Sequence, residues 1–141
     1  MDRRHLRAKS AILDGELVCL DEGGKSQFDD LLFRRKPPIY YAFDLLWLQG
    51  SDLRDRPLVE RKEFLKARLP AEPSQILYAD HVERQGTELF RKVCEMDPEG
   101  IDAKRESAPY RDGMRWVKIR NPNYSQKEGR RELFDSRRTR T

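Results

Sequence analysis

At 141 residues the chain is of one-domain size, and 37% hydrophobic residues supply a modest core, with no apolar run near the ~20 residues that a membrane helix needs. Charged residues reach 38%, with 29 Lys+Arg against 25 Asp+Glu, so the +4 balance permits nucleic-acid contact and excludes a histone-like polycation. The start of the chain carries no signal-peptide apolar region, so a soluble cytoplasmic protein is expected.

Cys19 and Cys94 have no Cys-x-x-Cys spacing and sit in apolar-patterned segments, which predicts buried free thiols rather than a disulfide or a metal site. His5 and His81 are isolated and support neither a zinc site nor a histidine base. Basic residues gather at the ends, with Arg3, Arg4, Arg7 and Lys9 at the start and Arg130, Arg131, Arg137, Arg138 and Arg140 at the finish. Such runs are solvated tails or DNA-phosphate contacts.

The first strand is predicted over 11–20, ended by a turn at Asp21-Glu-Gly-Gly24. Ser26 is placed to cap a short helix carrying Phe28, Leu31 and Leu32, which Lys36-Pro-Pro38 stops. The aromatic and aliphatic run 39–48 predicts a central strand, closed by Gln49-Gly-Ser-Asp52. Pro57 then opens a surface amphipathic helix with an apolar stripe of Leu58, Phe64, Leu65 and Leu69, before Pro70. A strand follows over 76–82. A second helix starts at Thr87, turns Leu89, Phe90, Val93 and Met96 inward, and ends at Asp97-Pro98. Strands over 100–105 and 115–120 complete the body, with no internal repeat and no Gly-x-Gly-x-x-Gly turn of a dinucleotide fold.

The chemistry-bearing residues recur in strands. Side chains alternate across a strand, so Asp14 and Glu16 share one face, roughly 7 Å apart by strand rise. By the same rule Trp116, Lys118 and Arg120 share a face, while Val117 and Ile119 are expected to anchor a core from the other. Carboxylates suit Mg²⁺ and paired cations suit a phosphate, the components that nucleotidyl transfer requires.

Four segments, Ala11-Ile-Leu-Asp-Gly-Glu-Leu-Val18, Phe43-Asp-Leu-Leu46, Glu99-Gly-Ile-Asp-Ala-Lys-Arg105 and Trp116-Val-Lys-Ile-Arg120, occur in the order of the adenylation domain of ATP-dependent DNA ligases. Together they closely resemble that family, especially its bacterial end-joining type, from about Ala11 to about Arg130. The resemblance implies an α+β nucleotidyltransferase fold of mainly antiparallel sheets with outer helices, using ATP and Mg²⁺ on nicked or broken duplex DNA. It implies that Glu16 contacts ribose and metal, that Phe43 stacks on adenine and that Glu99 is the second metal carboxylate. Lys104 would join the nucleotide site, and Lys118 and Arg120 would contact the α-phosphate and promote transfer. Gly100 would let a ligand approach the backbone.

Three features depart from the family. Asp102 stands where an apolar residue is usual, and Arg120 stands where lysine is common, which keeps the charge and adds a planar fork. The nucleophilic motif Lys-x-Asp-Gly occurs nowhere in these 141 residues. The expected organisation is a basic extension over 1–10, a partial nucleotidyltransferase domain over 11–122 without nucleophile or OB-type domain, and a polar basic tail over 123–141. Such a chain would not self-adenylate. Its open sheet edges would favour a homo-oligomer or a partner chain covering the missing half. A non-catalytic nucleic-acid-binding or assembly module, and a truncated inactive fragment, are the alternative readings.

Overall fold

The computed structural model describes residues 6–70, 74–96, 98–114 and 116–125. These fall into two compact units, one within Met1–His81 and Lys104–Arg115, the other within Val82–Ala103 and Trp116–Thr141. The order is β1 (Ala11–Val18), α1 (Phe28–Leu32), β2 (Ile39–Leu48), β3 (Ser51–Asp52), α2 (Leu58–Arg68), β4 (Ile76–Tyr78), α3 (Gly86–Met96), β5 (Gly100–Ala103) and β6 (Val117–Arg120).

In the first unit β2 is the central strand, as its density of aromatic and branched residues predicts. It pairs antiparallel with β1 along its length and with β3 at Trp47 and Leu48, and parallel with β4 at Tyr40–Ala42. The helix α2 packs on β2, so Ala42, Leu45, Leu53, Leu65 and Leu69 form the buried core. Leu6, Leu13, Tyr40, Phe64, Ile76 and Tyr78 pack around it. Arg7 ties its backbone N–H to the Arg68 carbonyl at 2.8 Å, and its guanidinium donates to the Ala67 carbonyl at 2.8 Å.

Two register shifts mark the β1–β2 ladder. Ile12 faces Trp47 and Leu13 faces Leu45, then Asp14 faces Asp44 and Gly15 faces Ala42, so Leu46 and Phe43 have no partner on β1. Each is the extra residue of a bulge, a feature that re-aims side chains locally. Gly15 lies in the same place. A Cβ there would overlap the Tyr41 carbonyl oxygen and come within 2.6 Å of the Tyr40 ring, whose hydroxyl donates to the Leu13 carbonyl at 3.3 Å. Gly15→Ala is therefore expected to displace Tyr40 or spread the ladder at a cost of about 1–3 kcal/mol. Denaturant unfolding checks this, and an unchanged midpoint would count against it.

Local details depart from the sequence pattern. The helix α1 has Gln27 at its cap with no side-chain bond, so Ser26 does not cap it; Ser26 forms an isolated antiparallel bridge with Leu20 instead. The turn between them is held by the Asp21 carboxylate, which accepts from the N–H groups of Gly23 and Lys25. These bonds lower the Asp21 pKa, the Lys25 N–H most. The strand β4 is three residues long rather than seven, because its parallel register covers only Ile76–Tyr78. The stripe on α2 is as expected, but its charged face is not all solvated: Arg61 and Lys62 are buried with it.

In the second unit, β5 and β6 form a two-stranded antiparallel sheet with α3 packed on β5. Leu89, Phe90, Val93 and Cys94 are half-buried, whereas Met96, the last residue of α3, is 74% exposed. Val117 is 58% exposed and Ile119 38%, so they anchor no core among the described residues. A two-stranded sheet has too little cover to bury both faces. Cys19 is a buried free thiol, as expected, whereas Cys94 is a free thiol only half-buried on α3. No helix among the described residues is long and apolar enough to cross a membrane.

Candidate functional site

Glu16, Phe43 and Lys104 belong to the first unit. Glu16 is exposed on β1, opposite Tyr41. Two residues earlier Asp14 is tied down, accepting from the Tyr110 hydroxyl at 3.0 Å. Burial and then that bond raise the Tyr110 pKa. The neighbouring acids of β1 thus differ: Asp14 is held by a phenol, and Glu16 is presented outward.

Phe43 is half-buried at its bulge, and the Lys104 ammonium lies 4.8 Å from its ring centroid. This is cation–π distance. The structure therefore brings together an aromatic of the Phe-Asp-Leu-Leu segment and a cation of the Glu-Gly-Ile-Asp-Ala-Lys segment, 61 residues apart in sequence. Phe43 is backed by two interactions that periodicity did not reveal. Asp44 and Arg61, 1% and 2% exposed, form a bidentate pair at 2.8 and 2.9 Å. Lys62 donates from Nζ to the Phe43 carbonyl at 3.0 Å. Desolvation lowers the Lys62 pKa and the nearby Lys104 charge adds to it, while Asp44 opposes. The signal for such pairs was a lone Asp inside a strongly apolar strand, which must find a buried cation.

Glu99, Lys118 and Arg120 belong to the second unit. Lys118 Nζ lies 2.9 Å from the Glu99 carboxylate, with both side chains partly exposed. In the ladder Lys118 faces Asp102 and Arg120 faces Gly100, so the extra carboxylate of this chain sits beside the same lysine. The Gly100 site is filled by the partner strand rather than open to a ligand. A Cβ there would collide with the Ile119 carbonyl oxygen. Glycine is needed for the two strands to approach.

Asn121 completes the frame. It is buried, its N–H donates to the Glu99 carbonyl at 2.8 Å, and its Nδ2 donates to the Pro98 carbonyl at 3.1 Å. Asn121 thus pins the start of β5 to the end of β6. No group of three or more His, Cys, Asp or Glu side chains capable of holding a metal occurs among the described residues. Single carboxylates such as Glu16 and Glu99 suit Mg²⁺, which keeps waters and substrate oxygens instead of an all-protein cage.

A family model described as ATP dependent DNA ligase domain matches residues 2–120. The chain is 34% identical over 139 residues to DNA ligase 2 of Methanosarcina acetivorans, covering 82% of this chain and 24% of that protein. It is 32% identical over 112 residues to the multifunctional non-homologous end joining protein LigD of Mycolicibacterium smegmatis, covering 76% of this chain and 14% of that protein. The ligase domain of Mycobacterium tuberculosis LigD superposes with a TM-score of 0.66 at 30% identity, over 78% of this chain and 37% of that domain. The chain thus spans about a quarter or less of these curated relatives. Its mixed α and β, largely antiparallel architecture is that of the ligase nucleotidyltransferase fold. A match over most of the chain, by sequence and by fold, makes it a member of the ATP-dependent DNA ligase domain family.

Proposed function

We propose that this chain supplies the base-stacking and phosphate-contacting part of a DNA ligase adenylation domain. The observation that carries the reading is the pairing within motifs distant in sequence: Lys104 on Phe43, and Lys118 with Glu99 across β5–β6. Adenine would lie on Phe43, with Lys104 close to it. Lys118 and Arg120 would meet the α-phosphate, where charge builds up as the P–O bond changes partner. Glu99 orients the Lys118 ammonium, and Asn121 fixes the Glu99 backbone. Bound Mg²⁺ would screen phosphate charge; Glu16 of the first unit and Glu99 of the second are each a carboxylate of the kind that suits it.

At a nick already carrying a 5′-adenylate, the 3′-hydroxyl oxygen attacks the 5′ phosphorus and gives up its proton to solvent, the phosphoanhydride bond to AMP breaks, and AMP leaves with that electron pair. Cations at the phosphate favour this step. Lysine adenylation is a different matter, since these 141 residues hold no Lys-x-Asp-Gly. Incubated with radiolabelled ATP and Mg²⁺, the chain is expected to bind nucleotide without forming a covalent AMP adduct. An adduct mapped to any of its lysines would refute this, and failure to bind ATP or AMP at millimolar concentration would refute the nucleotide-binding roles proposed here.

A further inference from the structure

Two adjacent residues of α2 grip two adjacent residues of β2: Arg61 takes the Asp44 carboxylate, and Lys62 takes the Phe43 carbonyl. They do so at the bulge, where Phe43 has no register partner on β1 and lies beyond the three β2 residues that pair with β4. The ladder therefore gives Phe43 no strand partner, and Lys62 supplies the partner of its carbonyl. Lys62 is only 8% exposed, and its ammonium lies 5.4 Å from the Tyr78 ring centroid. Burying an ammonium sacrifices hydration. An apolar side chain would fill that position on α2 and pack on Tyr78 without this cost, so filling space does not account for the lysine.

We propose that Lys62 is a positioning residue: by holding the Phe43 carbonyl at the bulge it sets the Phe43 ring against Lys104 and against the nucleobase. The nucleobase part rests on the stacking role of Phe43 proposed above; the ring placement stands on the geometry alone. Burial and then the Lys104 charge lower the Lys62 pKa, so the ammonium sits there at a cost.

The test uses the full chain and two readouts. The first is the NMR ring-current shift of the Lys104 side-chain methylenes, assigned by its disappearance in Phe43→Leu. The second is ATP affinity by calorimetry. Lys62→Met is expected to return the Lys104 resonances toward their unshifted values and to weaken ATP by about fivefold or more, the scale of a disturbed base–aromatic stack. Lys62→Arg, which keeps N–H donors, is expected to preserve much of both. A merely structural role would lower the melting temperature of Lys62→Met and leave both readouts unmoved, and that result overturns the inference. If Phe43→Leu does not change ATP affinity while Lys62→Met still moves the Lys104 shift, the stacking reading fails and the ring placement stands. Should Lys62→Met not fold, Lys62→Gln, polar but too short to reach the carbonyl, makes the same comparison.

Discussion

Replacing Arg61 by alanine is expected to destabilise the first unit by about 3–5 kcal/mol, the cost of leaving a buried carboxylate without its counter-ion. Asp44 lies within the core strand beside Phe43, and the Arg61 guanidinium gives it two hydrogen bonds while also donating to the carbonyls of Arg56 and Ala108. Removing the guanidinium strands one charge and two carbonyls together. A domain of this size has about 5–15 kcal/mol of stability to lose, so a large fraction would be unfolded or poorly soluble near physiological temperature. Replacing both partners, Asp44→Leu with Arg61→Met, removes the lone charge and is expected to recover part of the loss, leaving as the remainder the two carbonyls and the Leu45 N–H, which donates to Asp44 Oδ1 at 2.8 Å. Urea unfolding of the three proteins separates these terms. An Arg61→Ala midpoint close to that of the natural chain would show that solvent reaches Asp44 and that the pair is dispensable.

The double replacement Lys118→Ala with Arg120→Ala should have the opposite profile, with little effect on folding and a large one on phosphate binding. Both side chains are exposed on β6, whose attachment to β5 is a backbone ladder. The Lys118–Glu99 ion pair is partly exposed and contributes about 0–1 kcal/mol to stability. Two charge-assisted phosphate contacts are worth about 1.5–3 kcal/mol each, so their loss should weaken ATP or AMP by about 100-fold or more. Calorimetric titration beside a thermal melt reads both quantities. Equal nucleotide affinity in the two proteins would remove β6 from the phosphate site, whatever its stability.

The sequence by itself determined what depends on local composition and on motif order. The strand Ile39–Leu48 was legible to the residue because ten consecutive residues favour an extended, buried backbone and Gln49-Gly50 ends it. The helix after Pro57 was legible from its apolar spacing, and the family from four segments in one order. Only the tertiary structure decided what depends on partners distant in sequence. Periodicity counts apolar residues, so it read Arg61 and Lys62 as solvated, whereas the Asp in β2 and the bulge beside it draw both inward. It read Val117, Ile119 and Met96 as core, whereas the small β5–β6 sheet has only α3 to cover it and leaves them exposed. Gly15 and Gly100 carried no local signal beyond their motifs; each is required by the carbonyl of a neighbouring strand that approaches too closely for a Cβ. Likewise, alternation put Lys118 and Arg120 on one face, but the Glu99 contact exists because the antiparallel register and Asn121 bring the two strand ends together.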